Sequence, residues 1–186
     1  MGGVADLAFW RRGQRERAGF SLYGHAVGAA RRPFFYDVLA VPDTLDGRFD
    51  LIGLHVSLLI RRLRHDRRPG PALAQAVFDA MFSDMDINLR ELGVGDLSVG
   101  KRVRAMWEAL HGRARAYEAA LDAGDAAALA AALARNVWRG GAAPRAEALA
   151  AIMMASDAAL ARQALATLAA GEVTFPAPET LPGGRP

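Results

Sequence analysis

The stretch SVGKRVRAMWEALHGRARAYEAAL, residues 98–121, decides the fold class. Within it Val99, Val103, Met106, Leu110, Ala114, Tyr117 and Leu121 advance by threes and fours, while Lys101, Arg104, Glu108 and Arg115 fall on the opposite side. A repeat of this period sustained over several turns is an amphipathic α-helix, with Ser98 read as its N-cap. Working outward, the same spacing recurs almost everywhere, and no alternating, β-branched segment interrupts it. The chain is therefore expected to be all-α, a single-domain bundle of about six to seven helices with an extended C-terminal tail.

Punctuation places the other helices. Residues 4–17 and 20–31 read as two helices, the second stopped by Pro33, which lacks a donor and restricts the residue before it. A short turn at 34–39 and the capping run Val41-Pro42-Asp43-Thr44-Leu45-Asp46-Gly47 lead into a helix over 47–66. Arg67-Arg68-Pro69-Gly70-Pro71 breaks the chain, and a helix over 72–92 follows, ended by Gly93 and Gly95. Gly124-Asp125 opens an Ala-rich helix to 139, and Pro144 suits the first turn of a last helix to 170, with Gly171 closing it. The proline-rich tail cannot continue a helix; Val173 and Phe175 are read as docked on the bundle, and residues past 180 as frayed. The domain plan is a basic N-terminal segment (1–19), a helical domain (20–178) and a flexible tail (179–186).

Composition narrows the function. A content of 52% hydrophobic residues in 186 supports a buried core, and zero Cys excludes disulfides, a thiol nucleophile and thiolate metal sites. The 23 Lys and Arg outnumber the 20 Asp and Glu, and the excess is uneven. Residues 1–68 hold 12 basic and 7 acidic residues, net +5, whereas the remainder is net −2. Arg11, Arg12, Arg15, Arg17, Lys101 and Arg102 are the candidate basic contact surface, suited to anionic lipid or ribosomal RNA; solvated charge is the bland alternative. No DNA-binding or RNA-recognition pattern accompanies them, and the three Trp residues read as packing anchors.

Catalytic and metal-binding patterns are missing. His25, His55, His65 and His111 lie on different helices without a ligand partner at helical spacing, so no metal or other cofactor is expected. No phosphate loop and no nucleophile beside a base occurs, so no catalytic residue is assigned. The informative face is that of the helix over 47–66: Arg48, His55 and Arg62, seven apart, run in line through Leu51, Ile52, Leu58 and Leu59. Asp84 and Asn88 lie on the helix after it, where Asp84 needs Arg48, Arg62, His55 or water as a partner. These give a candidate groove of Arg48, Leu51, His55, Leu58, Arg62, Asp84 and Asn88, against the plainer reading that the arginine stems and His55 belong to the core edge.

Several runs carry a resemblance. Phe35-Tyr36, then Val41-Pro42-Asp43-Thr44-Leu45-Asp46-Gly47-Arg48-Phe49-Asp50-Leu51-Ile52 and Leu54-His55-Val56, resemble the core signature of the ubiquinol-cytochrome c chaperone family. Phe78 to Phe82, Asp84-Met85-Asp86, the run from Leu89 to Ser98, Lys101-Arg102, Tyr117, Arg135-Asn136-Val137 and Gly171-Glu172-Val173-Thr174-Phe175 resemble later blocks in order. The resemblance implies a non-catalytic assembly factor of respiratory complex III that binds newly made cytochrome b. It further implies contact with an anionic membrane surface and the ribosome, and leaves open a second assembly subunit of the kind mitochondrial members use. With no signal peptide and no spanning segment read, a cytoplasmic protein peripheral to the cytoplasmic face of the inner membrane is expected. The alternative, from another class, is a ribosome- or RNA-associated helical module using the basic first third.

Overall fold

The computed structural model describes residues 3–91, 93 and 95–184, with the side chains of residues 3–11, 96 and 97 outside that description. The described chain is all-α: six long helices, two single-turn helices and a 3-10 turn, without a strand. α1 spans Gly3–Ala30, α2 Pro33–Asp37, α3 Leu45–Arg64 and α4 Gly70–Glu91. α5 spans Asp96–Ala123, α6 Ala126–Val137, α7 Ala146–Ala161 and α8 Leu165–Ala169, before the 3-10 turn at Pro178–Thr180.

Several boundaries shift by a residue or two from the sequence reading, as at α3 and α4, and three differences have a physical reason in the structure. α1 runs unbroken through the expected gap at 18–19, and through the 19/20 domain boundary. Gly19 is there for proximity: a Cβ would come within 2.6 Å of the Ala76 backbone, so glycine lets α1 lie directly on α4. α5 begins at Asp96 behind Gly95, two residues before the expected Ser98 cap. The final helix is two pieces, because Gln163 leaves the helix and binds the tail, accepting from Thr174 N at 2.9 Å and donating to Thr174 O at 2.7 Å.

The ends that follow sequence are equally specific. Thr44 caps α3 through Gly47 N at 3.1 Å, and Asp125 caps α6 through Ala128 N at 2.9 Å. Gly124 at φ 63° supplies the left-handed turn that closes α5. Thr44→Ala and Asp125→Ala should each cost about 1 kcal/mol, lowering Tm by about 2–4 °C. Thermal unfolding followed by circular dichroism measures this, and an unchanged midpoint would show that the cap is immaterial.

α3 is the axis of the bundle, packed against α1, α4, α5, α6 and α7. Burial follows: Leu51 and every residue from Gly53 to Leu59 are buried, so the middle of this helix is enclosed on all sides. Directions follow from contacts. The Gly70 backbone meets Leu63, so α4 runs antiparallel to α3. Gly53 meets Leu110 and Arg61 reaches Asp122, so α5 runs parallel to α3. Gly19 meets Ala76 while Tyr23 reaches Asp84, so α1 runs with α4. Val173 and Phe175 are buried in the core as expected, and Leu181 also packs against it.

Candidate functional site

The heptad-spaced line on α3 exists, but it faces the interior. Leu51, His55 and Leu58 are 0%, 3% and 1% exposed, closed over by neighbouring elements. His55 Nδ1 lies 2.8 Å from Leu51 O, and since a carbonyl only accepts, that nitrogen carries the proton. Phe35 and Phe175 meet the imidazole edge-on, each with centroids 5.4 Å away. Burial pushes its pKa down to about 4, with Arg32 adding a smaller push in the same direction.

The ends of the line do different work. Arg48 is exposed and forks onto Asp43, at 2.5 and 3.1 Å, which holds that carboxyl below its usual range. Arg62 is half-buried and caps a different helix: Nε donates to Leu160 O at 3.1 Å, Nη2 to Gln163 O at 2.8 Å, and Nη1 to Asp66 at 2.6 Å. Leu160 O also accepts from Gln163 N at 3.1 Å, so the guanidinium from α3 adds a second donor at the end of α7 and meets the carbonyl of Gln163 just beyond it. Asp84 meets none of the three side chains the sequence proposed; it accepts from Tyr23 OH on α1 at 2.7 Å. Burial and that bond raise the Tyr23 pKa. Asn88 is exposed and donates back to Asp84 O at 2.6 Å. The seven candidates therefore do not share one open groove, because α1, α7 and the tail cover the face of α3 on which three of them sit.

The basic candidates are also divided. Arg12 pairs with Glu16 at 2.9 Å, Arg17 is exposed, Arg15 is half-exposed, and the Arg11 side chain lies outside the described residues. Lys101 and Arg102 are exposed on the first turns of α5. Given the helix directions, the α1 group lies toward the start of α4 and the α5 pair toward its end. They are two surfaces, not one.

A buried ion cluster escaped the sequence reading. Asp50, with 1% of its side chain exposed, lies 2.9 Å from Arg113 Nη1 and 3.4 Å from Arg139 Nη2, and the latter also reaches Asp46 at 3.3 Å. Arg113 sits over the Phe49 ring at 5.9 Å. Burial pushes the Asp50 pKa up to about 6 against the two guanidiniums, and Asp50 Oδ1 has no hydrogen bond of good geometry. The available signal was an Asp one position before a run of buried apolar residues, a site that requires a cation from elsewhere. Among the described residues no group of three His, Asp or Glu is placed to hold a metal.

Of the exposed large apolar side chains among the described residues, Phe20 stands apart on α1 at 52%; Leu45 is 73% exposed, Ile87 52% and Trp107 37%, the last stacked on His111. Leu45 lies where α3 begins, Ile87 where α4 ends, and Trp107 one turn before the Leu110 that meets Gly53 of α3, at the level that also carries Arg48 and Asn88, with Lys101 and Arg102 nearer the start of α5. Such an apolar group rimmed by charge is a surface suited to another protein. Among the described residues no helix is long and apolar enough to cross a membrane.

Comparison with known proteins places the chain among assembly factors. A family model described as ubiquinol-cytochrome C chaperone matches residues 37–175. The chain is similar to the ubiquinol-cytochrome-c reductase complex assembly factor 1 of Xenopus laevis, at 26% identity over 103 residues, 55% of this chain and 51% of that protein. It therefore spans about half the length of that curated relative. It is also similar to the Cbp3 homolog from Brucella abortus, whose crystal structure matches with a TM-score of 0.84 and 36% identity over 96% of this chain and 99% of that one.

Proposed function

The chain belongs to the ubiquinol-cytochrome c chaperone family, and from that premise we propose that it binds newly made cytochrome b and promotes assembly of the ubiquinol-cytochrome c reductase complex. The family match from 37 to 175 carries the reading, since it spans the α3 signature and ends in the docked tail. Binding without turnover is the chemistry proposed. A membrane-protein client needs apolar contact area with a few charges for orientation, and no proton-transfer group enters the scheme.

The client-facing surface in this proposal is the end of the bundle bearing Leu45, Arg48, Ile87, Asn88 and Trp107. His55, Leu51, Leu58 and Arg62 then serve it by fixing the helices. Lys101 and Arg102 would face an anionic membrane surface or the ribosome, placing the protein at the cytoplasmic face of the inner membrane. That contact weakens with salt if it is electrostatic.

Deleting the gene should lower both assembled complex III and spectrally detected b haem, and the wild-type chain should restore them. Normal levels of both after deletion would remove the proposal. Complementation with Leu45→Glu plus Ile87→Glu should fail to restore assembly while leaving the unfolding midpoint within about 0.5 kcal/mol, as exposed positions allow. Photocrosslinkers at positions 48 and 88 should capture cytochrome b; capture from neither, with assembly still restored by the double variant, would move the client surface elsewhere.

A further inference from the structure

Beside the tail lies a groove of about 610 Å³, walled by Ser21, Gly24, His25 and Gly28 of α1, by Arg32 between α1 and α2, and by residues 173–175. Its tail wall is an unfinished strand edge. Burial alternates along it: Gly171, Val173 and Phe175 are buried, Glu172 and Thr174 exposed, the mark of an extended chain. In such a chain, the N–H and C=O of successive residues point to opposite sides. Thr174 spends both of its groups on the Gln163 side chain. Among the described residues, the N–H and C=O of Val173 and Phe175 have no hydrogen-bond partner, and they point away from Gln163. A short edge with one side satisfied and the other open accepts a further strand.

The opposite wall provides room and charge. A Cβ built on Gly24 or Gly28 would meet no atom within 4 Å, so the α1 backbone is bare along the groove. Arg32 and His25 line it, neither has a carboxylate partner among the described residues, and no lining side chain is acidic. The glycines leave space; the strand edge and the guanidinium supply recognition. We propose that this groove binds an extended acidic peptide, added as a strand along Val173 and Phe175 with a carboxylate on Arg32. Pro176, which has no N–H, ends the edge, so the ladder is short, two residues of the tail pairing with the incoming strand. The proposal requires nothing of the identity of the client.

The test uses the purified full chain and a fluorescein-labelled hexapeptide that alternates alanine and valine and ends in two glutamates. Saturable binding by fluorescence anisotropy is expected, with slowed hydrogen exchange at the Val173 and Phe175 amides. N-methylation of one alternate set of peptide residues should abolish binding and of the other set leave it, because only one set faces the edge. Arg32→Glu and Gly28→Val should each weaken it by at least about tenfold. The fold should tolerate Gly28→Val, since a Cβ there meets nothing within 4 Å and the position lines the groove. Absence of saturable binding, indifference to both N-methylated sets, or equal binding by the two variants would overturn the proposal. Phosphatidylglycerol vesicles bound through Arg32 in place of the peptide would also overturn it, in favour of a lipid surface.

Discussion

Arg62→Ala should lower the stability of the chain by about 3 kcal/mol and loosen the segment from α8 to the tail. Three interactions disappear together: donation to Leu160 O, donation to Gln163 O, and the pair with Asp66. Hydrogen bonds made by a charged donor contribute about 1.5–3 kcal/mol each; Leu160 O keeps its bond from Gln163 N, so the larger share of the loss is at Gln163 O, where water replaces the guanidinium imperfectly. The Asp66 pair adds little, because Asp66 can turn to solvent while keeping its bond from Arg67 N. Gln163 O is held by Arg62 and the Gln163 side chain holds Thr174, so loss of one should propagate to the other. Urea unfolding gives the magnitude, and hydrogen exchange across residues 165–175 gives the location. Arg62→Lys should recover less than half, since one ammonium cannot reproduce a fork that serves two carbonyls and a carboxylate. A midpoint within 1 kcal/mol of wild type in Arg62→Ala, with exchange across the tail unchanged, would show that the helix end is held by something else.

Arg62 also marks where the sequence stops being informative. Its place in line with Arg48 and His55 is a property of one helix and could be read from spacing alone. What covers that line is a property of the fold, set by α7 and the tail about a hundred residues later. The same divide separates the caps from the packing. Thr44 and Asp125 act on amides three residues away and were legible; Gly19 resembles a helix break until Ala76 is brought against it. Asp84 shows how a correct demand can have an unforeseen answer. The need for a partner was plain from its setting, but Tyr23, on a helix that contributed nothing to the candidate groove, met it. The family runs were legible because they are contiguous. Asp50 stands within one of them, yet its cations, Arg113 and Arg139, come from α5 and from the residue after the α6 cap, and only the bundle joins them.

His55 and Asp50 should give opposite pH dependences that nearly cancel in the wild type. The neutral imidazole is buried, and its folded pKa of about 4 lies below the ordinary 6.5 of the unfolded chain. The unfolded state then binds the extra proton between those values, so this stability is complete above pH 6.5 and declines as pH falls toward 4. Asp50 behaves in reverse. Its folded pKa of about 6 lies above the unfolded 3.8, so the folded state binds the extra proton and stability rises as pH falls through 6. Between pH 7 and 4.5 each contributes about 2 kcal/mol, with opposite sign. Single variants should uncover the two slopes. Asp50→Asn should lose about 2 kcal/mol over that range, whereas His55→Phe, which keeps an aromatic ring between Phe35 and Phe175, should gain about as much. The readout is the change with pH within each variant, so any constant penalty from leaving Arg113 and Arg139 without a carboxylate drops out. Stopping at pH 4.5 keeps Asp43 and Asp66, both lowered by arginine hydrogen bonds, largely ionised in folded and unfolded chains alike. Urea titrations at half-unit steps decide the matter: parallel pH profiles for wild type and both variants would mean that neither group is held away from its ordinary pKa.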